Sequence, residues 1–174
     1  MKKLICLWMA VMMLFVFTAC DAEPTKEAYN PDSTPIVDTN KKTTFGINET
    51  AVFENLKISA TEIQVSNGVD YFTPEEGNVF VGVKFVIENI SQETQGISSL
   101  LLFEGYVDDV KCDYSFSAAC AFDEGTLDGD IASGKKMVGW YALEVPAEWS
   151  SIELVVQPDL LASSSATFVF ENTN

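Results

Sequence analysis

The sequence contains no arginine and no histidine, and its ten lysines stand against 26 aspartates and glutamates. Nucleic-acid binding relies on lysine and arginine to release counterions from phosphates, so this composition excludes that function. The missing histidines exclude Ser–His and Cys–His pairs and the usual zinc ligand sets, and the missing arginines exclude a bidentate phosphate clamp. We therefore predict a protein that is not an enzyme, with no catalytic residue and no cofactor; paired carboxylates, as in glycoside hydrolysis, are the remaining catalytic alternative.

A long membrane-spanning run is also lacking. Lys2 and Lys3 precede the uncharged apolar residues 4–17, which are followed by Thr18, Ala19 and Cys20. As a helix this run would rise about 21 Å, short of the roughly 30 Å hydrocarbon core of a bilayer. The pattern predicts a signal peptide over residues 1–19. Its removal takes away two lysines and no acid, so the net charge changes from −16 to −18.

The cleavage site resembles a known export signal. Phe17-Thr18-Ala19-Cys20 is similar to the lipobox of bacterial lipoproteins, with phenylalanine where leucine is usual. The resemblance implies that Cys20 is lipidated and anchors the protein to the extracytoplasmic face of the cell membrane. Two or more acyl chains contribute on the order of 20 kcal/mol, at about 0.8 kcal/mol per CH2, which is enough for stable anchoring. The alternative is an ordinary secretory signal that has a cysteine at the cut.

The remainder divides into a linker and a single domain, as expected for a chain of 174 residues. Residues 20–43 contain three prolines and few apolar side chains, so we predict a flexible, disordered linker that acts as a spacer. From residue 44 to residue 174 the sequence changes to short apolar runs with a period of two, separated by glycine, asparagine, aspartate and serine. This texture predicts β-strands and no long helix.

The alternation is clearest at residues 79–87, 56–65 and 137–145, where one set of side chains must face a core. In the first run the predicted outer face carries Phe80, Gly82, Lys84 and Val86. Further strands are predicted at residues 51–54, 99–107, 117–122, 152–157 and 167–171. Seven to nine short strands predict an all-β fold, a sandwich of two antiparallel sheets, with a closed barrel as the alternative.

Three stretches of this domain resemble an uncharacterised family of bacterial lipoproteins with an immunoglobulin-like, telokin-like domain. The stretches are PEEGN followed by VFVGVKFVIENIS, ASGKK followed by MVGWYALEVPAEW, and Ile152-Glu153-Leu154. The resemblance implies an immunoglobulin-like antiparallel β-sandwich and a location in the cell envelope. It implies no activity and supplies no site residues.

Four cysteines are present, of which Cys6 leaves with the signal and Cys20 is the lipidation site. Cys112 and Cys120 remain, and outside the cytoplasm such a pair is a disulfide candidate; two buried thiols are the alternative. Asp123, Glu124, Asp128 and Asp130 could offer oxygen ligands to calcium, but they do not have EF-hand spacing. A solvated acidic loop is the simpler interpretation, so no metal site is predicted.

Aromatic residues admit two interpretations. Trp140 and Trp149 are predicted to be packing anchors, and partner contact is the alternative. The aromatics at Tyr71-Phe72 and at residues 114–116 lie near predicted turns, where they either cap the core or form a binding rim.

The function predicted from these features is a membrane-anchored, extracellular interaction module. It would bind another protein or an envelope component through one sheet face or through the loops at one end of the sandwich. The alternative is an envelope sensor that binds a small ligand or calcium.

Overall fold

The computed structural model describes residues 25–28, 43–123, 125–158 and 164–173. In these ranges the chain forms twelve strands and two one-turn helices. The strands are, in chain order, β1 (Thr25–Ala28), β2 (Thr44–Phe45), β3 (Glu49–Val52), β4 (Leu56–Ser66), β5 (Asn78–Asn89), β6 (Gln95–Ile97), β7 (Phe103–Val107), β8 (Val110–Cys112), β9 (Gly129–Ile131), β10 (Lys136–Pro146), β11 (Ser151–Val156) and β12 (Ala166–Glu171). The helices are α1 (Ser99–Leu102) and α2 (Phe116–Ala119); no helix in the described ranges is long enough to span a membrane.

Two five-stranded sheets form the body of the domain. The first has the strand order β1-β3-β4-β5-β10 and is antiparallel throughout. The second has the order β2-β12-β11-β7-β8 and is antiparallel except for the parallel pair of β2 and β12. Within the described ranges no strand pairing joins the two sheets, so the fold is an open antiparallel sandwich, as predicted, and not a closed barrel.

The core lies between the sheets, where the predicted inner faces meet. On β5 the alternate side chains from Val81 to Ile87 are buried, as are Tyr141, Leu143 and Val145 on β10. Phe85 links the layers: its ring centroid is 4.7 Å from that of Phe103 on β7 and 5.3 Å from that of Phe168 on β12. The two-residue alternation therefore predicted both β5 and β10 and the side of each that faces the core.

Two predicted strands are wrong in part or in whole. Residues 99–102 form α1, so only Phe103–Val107 of the expected strand 99–107 is extended, and the expected strand 117–122 is replaced by α2 and a turn. Short apolar runs do not distinguish a strand from a single helical turn. The start of α2 did carry a local signal, because the Ser115 hydroxyl accepts a hydrogen bond of 3.2 Å from the amide of Ala118, as an N-cap does.

Part of the predicted linker is a strand. Thr25–Ala28 pairs with β3 at the edge of the first sheet, for example Lys26 opposite Ala51. An edge strand needs only backbone partners on one side, so a polar composition does not prevent it. Apart from Thr43, the rest of residues 20–43 lies outside the described residues, and so do the predicted signal peptide and the lipidation site Cys20.

The two ends of the sandwich differ in what they carry. We call the end where Thr25 pairs with Val52, and Lys57 with Glu88, the Thr25 end. At the opposite end Ser66 pairs with Phe80 and the loop 67–77 joins β4 to β5; this is the Tyr71 end. Nine residues of strand separate Lys57 from Ser66, which places the two ends about 30 Å apart.

Candidate binding surfaces

A tight turn projects from the Tyr71 end. Val69 and Phe72 exchange backbone hydrogen bonds of 2.9 and 2.8 Å, which close a two-residue turn over Asp70 and Tyr71. Asp70 has a φ of 49°, in the left-handed region that aspartate tolerates. Gly68 has a φ of 100°, and a Cβ there would collide with the carbonyl oxygen of Phe72. The turn therefore depends on glycine at position 68.

This turn presents apolar side chains to solvent. Tyr71 at its tip is 98% exposed, and Val65, Val69 and Phe72 are each more than 40% exposed. We call these four residues the Tyr71 loop surface. Phe116 on α2 is also exposed, so the core-capping interpretation is wrong for Tyr71 and Phe116. It is confirmed for Tyr114, which packs 5.3 Å from Tyr141 between ring centroids.

A second apolar surface lies at the Thr25 end, where α1 leads into β7. Leu100 and Leu101 are 69% and 64% exposed. The helix is held in place by Asp128, whose carboxylate accepts hydrogen bonds of 2.9 Å from the amide and 3.0 Å from the hydroxyl of Ser99. A depression of about 220 Å³ borders Leu101. We call Leu100 and Leu101 the leucine ridge.

Beside the ridge is an open cleft of about 390 Å³, the Tyr141 cleft. Phe103 and Tyr114 flank Tyr141, with centroid distances of 4.9 and 5.3 Å, and line its apolar side. The polar rim includes the ion pair between Lys111 Nζ and Glu104 Oε1, at 2.8 Å. Burial raises the pKa of the Tyr141 phenol, which therefore stays neutral. Such a cleft can accept a flat apolar group.

The predicted cysteine pair is not a disulfide in the structure. Cys112 is half-buried at the end of β8, with its Sγ 3.5 Å from the carbonyl oxygen of Glu144. Cys120 follows α2 and is exposed. Burial, with smaller contributions from the charges of Asp113 and Glu144, raises the pKa of the Cys112 thiol. Both thiols are free, because the helical turn at α2 leaves Cys120 at the surface while Cys112 faces the β10 edge.

The acidic residues proposed for calcium have separate roles. The carbonyl of Asp123 accepts a hydrogen bond from the indole N–H of Trp140, and the carboxylate of Asp128 accepts one from the hydroxyl of Ser99. Asp130 lies on β9 and pairs with Gly96 on β6. Glu124 lies outside the described residues. In the described part of the chain no three His, Cys, Asp or Glu side chains come together as a metal site.

Both interior tryptophans are packing anchors, as predicted. Trp149 is buried in the main core. Trp140 is buried on the other side of the first sheet, where its ring lies 5.1 Å from that of Phe122 and its Nε1 donates a 2.6 Å hydrogen bond to Asp123. Its neighbours form an outer cluster, which comprises Phe80, Ala118, Phe122, Trp140 and Ala142.

Sequence reasoning did not single out the leucine ridge or Val69. It was wrong for Val65, which it placed in the core-facing run at residues 56–65; the register of β4 shifts between Ala60 and Glu62, and Val65 is exposed. Leu100, Leu101 and Leu102 are consecutive, which breaks strand alternation, and two serines precede them. That combination is a usable signal for a helical turn with outward-facing leucines. For the loop, Asn67-Gly68 and Asp70 indicated a turn but not the direction of the side chains between them.

Comparison with solved structures finds the same fold at low sequence identity. A proposed lipoprotein (ycdA) of Bacillus subtilis has a TM-score of 0.58 at 15% identity, over 78% of this chain and 40% of its own. An uncharacterized beta-sandwich protein of Clostridium difficile 630 has a TM-score of 0.51 at 13% identity, over 79% of this chain and 100% of its own. The yjhA protein of Bacillus subtilis has a TM-score of 0.52 at 16% identity, over 71% of this chain and 97% of its own. This chain thus spans less than half of the ycdA protein, and these similarities show the β-sandwich fold alone.

Comparison with curated proteins finds no match. Comparison with protein families does, because residues 45–167 match the domain of unknown function DUF4352. The match begins in β2 and ends at the second residue of β12, so it takes in the sandwich except β1, the first residue of β2 and most of β12. The chain therefore belongs to the DUF4352 family.

Proposed function

We propose that this protein is a lipid-anchored, non-enzymatic binding module on the extracytoplasmic face of the cell membrane, with a protein or envelope component as its partner. The placement of exposed apolar side chains carries the proposal. Of the ten large hydrophobic residues exposed in the described chain, eight lie at the two ends of the sandwich. Apolar side chains gathered in this way, and not scattered over the surface, are typical of interaction sites. The eight are Val65, Val69, Tyr71, Phe72, Ile90, Leu100, Leu101 and Val110.

The anchor is proposed at Cys20. The lipobox-like residues before it support lipidation, and the ycdA protein, which shares the fold, is itself described as a proposed lipoprotein. Cys20 precedes Thr25 by five residues, a stretch that spans at most about 18 Å when fully extended. A lipid on Cys20 therefore holds the Thr25 end near the membrane, and the Tyr71 end points away from it.

Lipidation is tested by mass spectrometry of the mature N-terminus and by detergent-phase partitioning. We expect acylated Cys20, with palmitate among its chains, as the first residue, and partitioning of the protein into the detergent phase. The Cys20→Ser variant should remain in the aqueous phase. An unmodified Cys20, or cleavage at another residue, would overturn the anchor.

Binding is tested by crosslinking in intact cells followed by mass spectrometry. We expect one reproducible partner for the wild-type protein, reduced when the exposed residues of both ends are replaced together in a Tyr71→Ser, Phe72→Ser, Leu100→Ser, Leu101→Ser variant. Because these side chains are exposed, the variant should keep its melting temperature, which serves as the folding control. The absence of any reproducible partner for the wild type contradicts the proposal.

A second candidate function is small-ligand binding in the Tyr141 cleft. Its volume of about 390 Å³ lies at the lower end of the range for ligand sites, and its aromatic side suits a flat apolar group. Screening aromatic fragments by NMR would test it. Binding should shift the ring signals of Tyr114 and Tyr141 and leave those of Tyr71 unchanged; no shift in either ring contradicts it.

A further inference from the structure

We infer that the Tyr71 loop surface is the docking element of this module, and that its partner is a polypeptide surface with an apolar pocket bordered by lysine or arginine. The inference rests on the proposed binding function and goes further, because it selects one of the two apolar ends and states the chemistry of the partner. Three properties of the Tyr71 end carry it: exposure, rigidity and charge.

Exposure comes first. Tyr71 is 98% exposed, and within the described chain it makes no hydrogen bond, ring contact or packing contact with the core. A tyrosine buries a large area on docking, offers a hydroxyl at its end and loses only two side-chain torsions, which makes it an effective binding residue. Val69 and Phe72, on either side of the tip, extend the apolar area around it.

The loop is also ordered before it binds. The Val69–Phe72 bridge closes the tip, and the Ser66 hydroxyl accepts a 3.1 Å hydrogen bond from the amide of Gly68. At the base, the carboxylate of Glu144 accepts hydrogen bonds of 2.7 Å from the amide of Glu75 and 3.1 Å from Nδ2 of Asn78. A loop held in one conformation loses little entropy on association, so more of its contact energy appears as affinity.

The charge around the tip has one sign. Asp70, Glu75 and Glu76 are exposed, and the loop 67–77 contains no lysine. Glu148 is exposed in the adjacent turn, which is tied to the loop by a 2.9 Å hydrogen bond from the amide of Ala147 to the carbonyl of Gly77. A partner that approaches this end must bring positive charge to complement it.

The same charge disfavours two other occupants. A second copy of the chain is equally acidic, with a formal charge of −16, and would be repelled tip to tip. An anionic lipid surface would be repelled as well. The Tyr71 end also lies about 30 Å from the Thr25 end, where the chain enters the sheet, so it can reach a protein away from the membrane.

The test uses the full-length, membrane-anchored protein with the photoreactive residue p-benzoylphenylalanine introduced at position 71, at position 101 or at position 116. Position 101 samples the leucine ridge, and position 116 is an exposed site on α2, away from both ends. We expect position 71 to crosslink to one protein, at a segment rich in lysine or arginine. Position 116 should not crosslink to it.

Binding measurements with purified components then give the contribution of Tyr71 to the affinity. Tyr71→Ser should weaken binding of the crosslinked protein by about 30-fold, the effect of a hot-spot residue, while the matched Phe116→Ser variant leaves it unchanged. An Asp70→Asn, Glu75→Gln, Glu76→Gln variant should associate with the crosslinked protein more slowly. Its association rate should also depend less on salt concentration. Unchanged melting temperatures confirm that each variant is folded.

The outcomes separate the inference from the proposed function. Crosslinks from position 101 but none from position 71 overturn the inference and leave the binding function standing. Crosslinks from position 71 only to a second copy or to lipid also overturn it, since they identify an occupant of different chemistry. No specific crosslink from either end overturns both.

Discussion

The ring of Phe122 lies directly over Gly82, and a Cβ at position 82 would come within 2.8 Å of the Phe122 Cε2 atom. Gly82 is on the side of β5 that strand alternation assigned to solvent. That side is instead covered by α2 and the turn after it, which bury Phe80, Trp140 and Ala142 in the outer cluster. The missing side chain at Gly82 makes room for this cover.

Gly82→Ala should therefore destabilise the domain through overpacking. We expect a loss of about 1–3 kcal/mol in the free energy of unfolding, measured by urea denaturation. Gly46→Ala is the control, because no atom lies within 4 Å of a Cβ at position 46. Combining Gly82→Ala with Phe122→Ala should be clearly less than additive. Equal stability of the two glycine variants would show that Phe122 does not pack against the strand.

Asn89 is a buried polar residue whose amide joins three segments. Its Nδ2 donates hydrogen bonds of 2.7 Å to the carbonyl of Glu93 and 2.8 Å to that of Ile131, and its Oδ1 accepts from the amide and hydroxyl of Ser91. Asn89→Asp replaces the donor by an oxygen that faces two carbonyls. We expect a loss of about 3 kcal/mol or more at pH 7.

The pH dependence of this loss has a definite sign. Ionisation of the new carboxyl is disfavoured in the folded state, so its pKa is raised on folding. The ionisation part of the penalty is absent below the unfolded-state pKa of about 4 and grows as the pH rises above it, whereas the loss of one of the two donated hydrogen bonds remains at every pH. Urea denaturation at several pH values measures it, with Asn67→Asp, at an exposed position, as the control. A penalty independent of pH would exclude ionisation of the new carboxyl as its cause.

Asp108 stabilises the turn between β10 and β11. Its Oδ1 accepts hydrogen bonds of 2.9 Å from the amide of Ser150 and 2.8 Å from that of Ser151. Asp108 and Asp109 both have positive φ, 49° and 66°, so glycine preserves the backbone at either position. Asp108→Gly should cost about 1.5–3 kcal/mol more than Asp109→Gly in thermal or urea unfolding. Equal effects would mean that the carboxylate contributes no stability.

The two free thiols should differ in reactivity. The raised pKa of Cys112 lowers its thiolate fraction at pH 8, and its burial restricts access, whereas Cys120 is exposed. Iodoacetamide should therefore modify Cys120 first in the folded mature protein, and modification of Cys112 should accelerate as the pH rises towards its raised pKa. Peptide mass spectrometry over time measures both rates. Denaturant should remove the effect of burial on the pKa and on the accessibility of Cys112. If neither cysteine reacts, the two are joined in a disulfide, which would contradict the prediction.

The residue pattern was enough to predict the all-β fold and the core-facing sides of β5 and β10. Successive side chains of a strand point to opposite faces whatever the strand packs against, so the alternation at residues 79–87 and 137–145 is a local property. The excess of acid over base, on which the prediction against nucleic-acid binding rests, is likewise independent of folding. Trp140 and Trp149 were correctly identified as packing anchors from residue type and position, whereas the same reasoning failed for Tyr71 and Phe116, which are exposed.

What covers the second face of a strand, and which loops stay uncovered, became apparent from the three-dimensional structure. The outer side of β5 is buried because α2, some 30 residues later in the chain, lies over it. Thr25–Ala28 is a strand because β3 offers an open edge, and Tyr71 is exposed because the turn at Gly68 directs it away from the sheets. These outcomes depend on contacts between distant segments, which the residues of one short run do not encode.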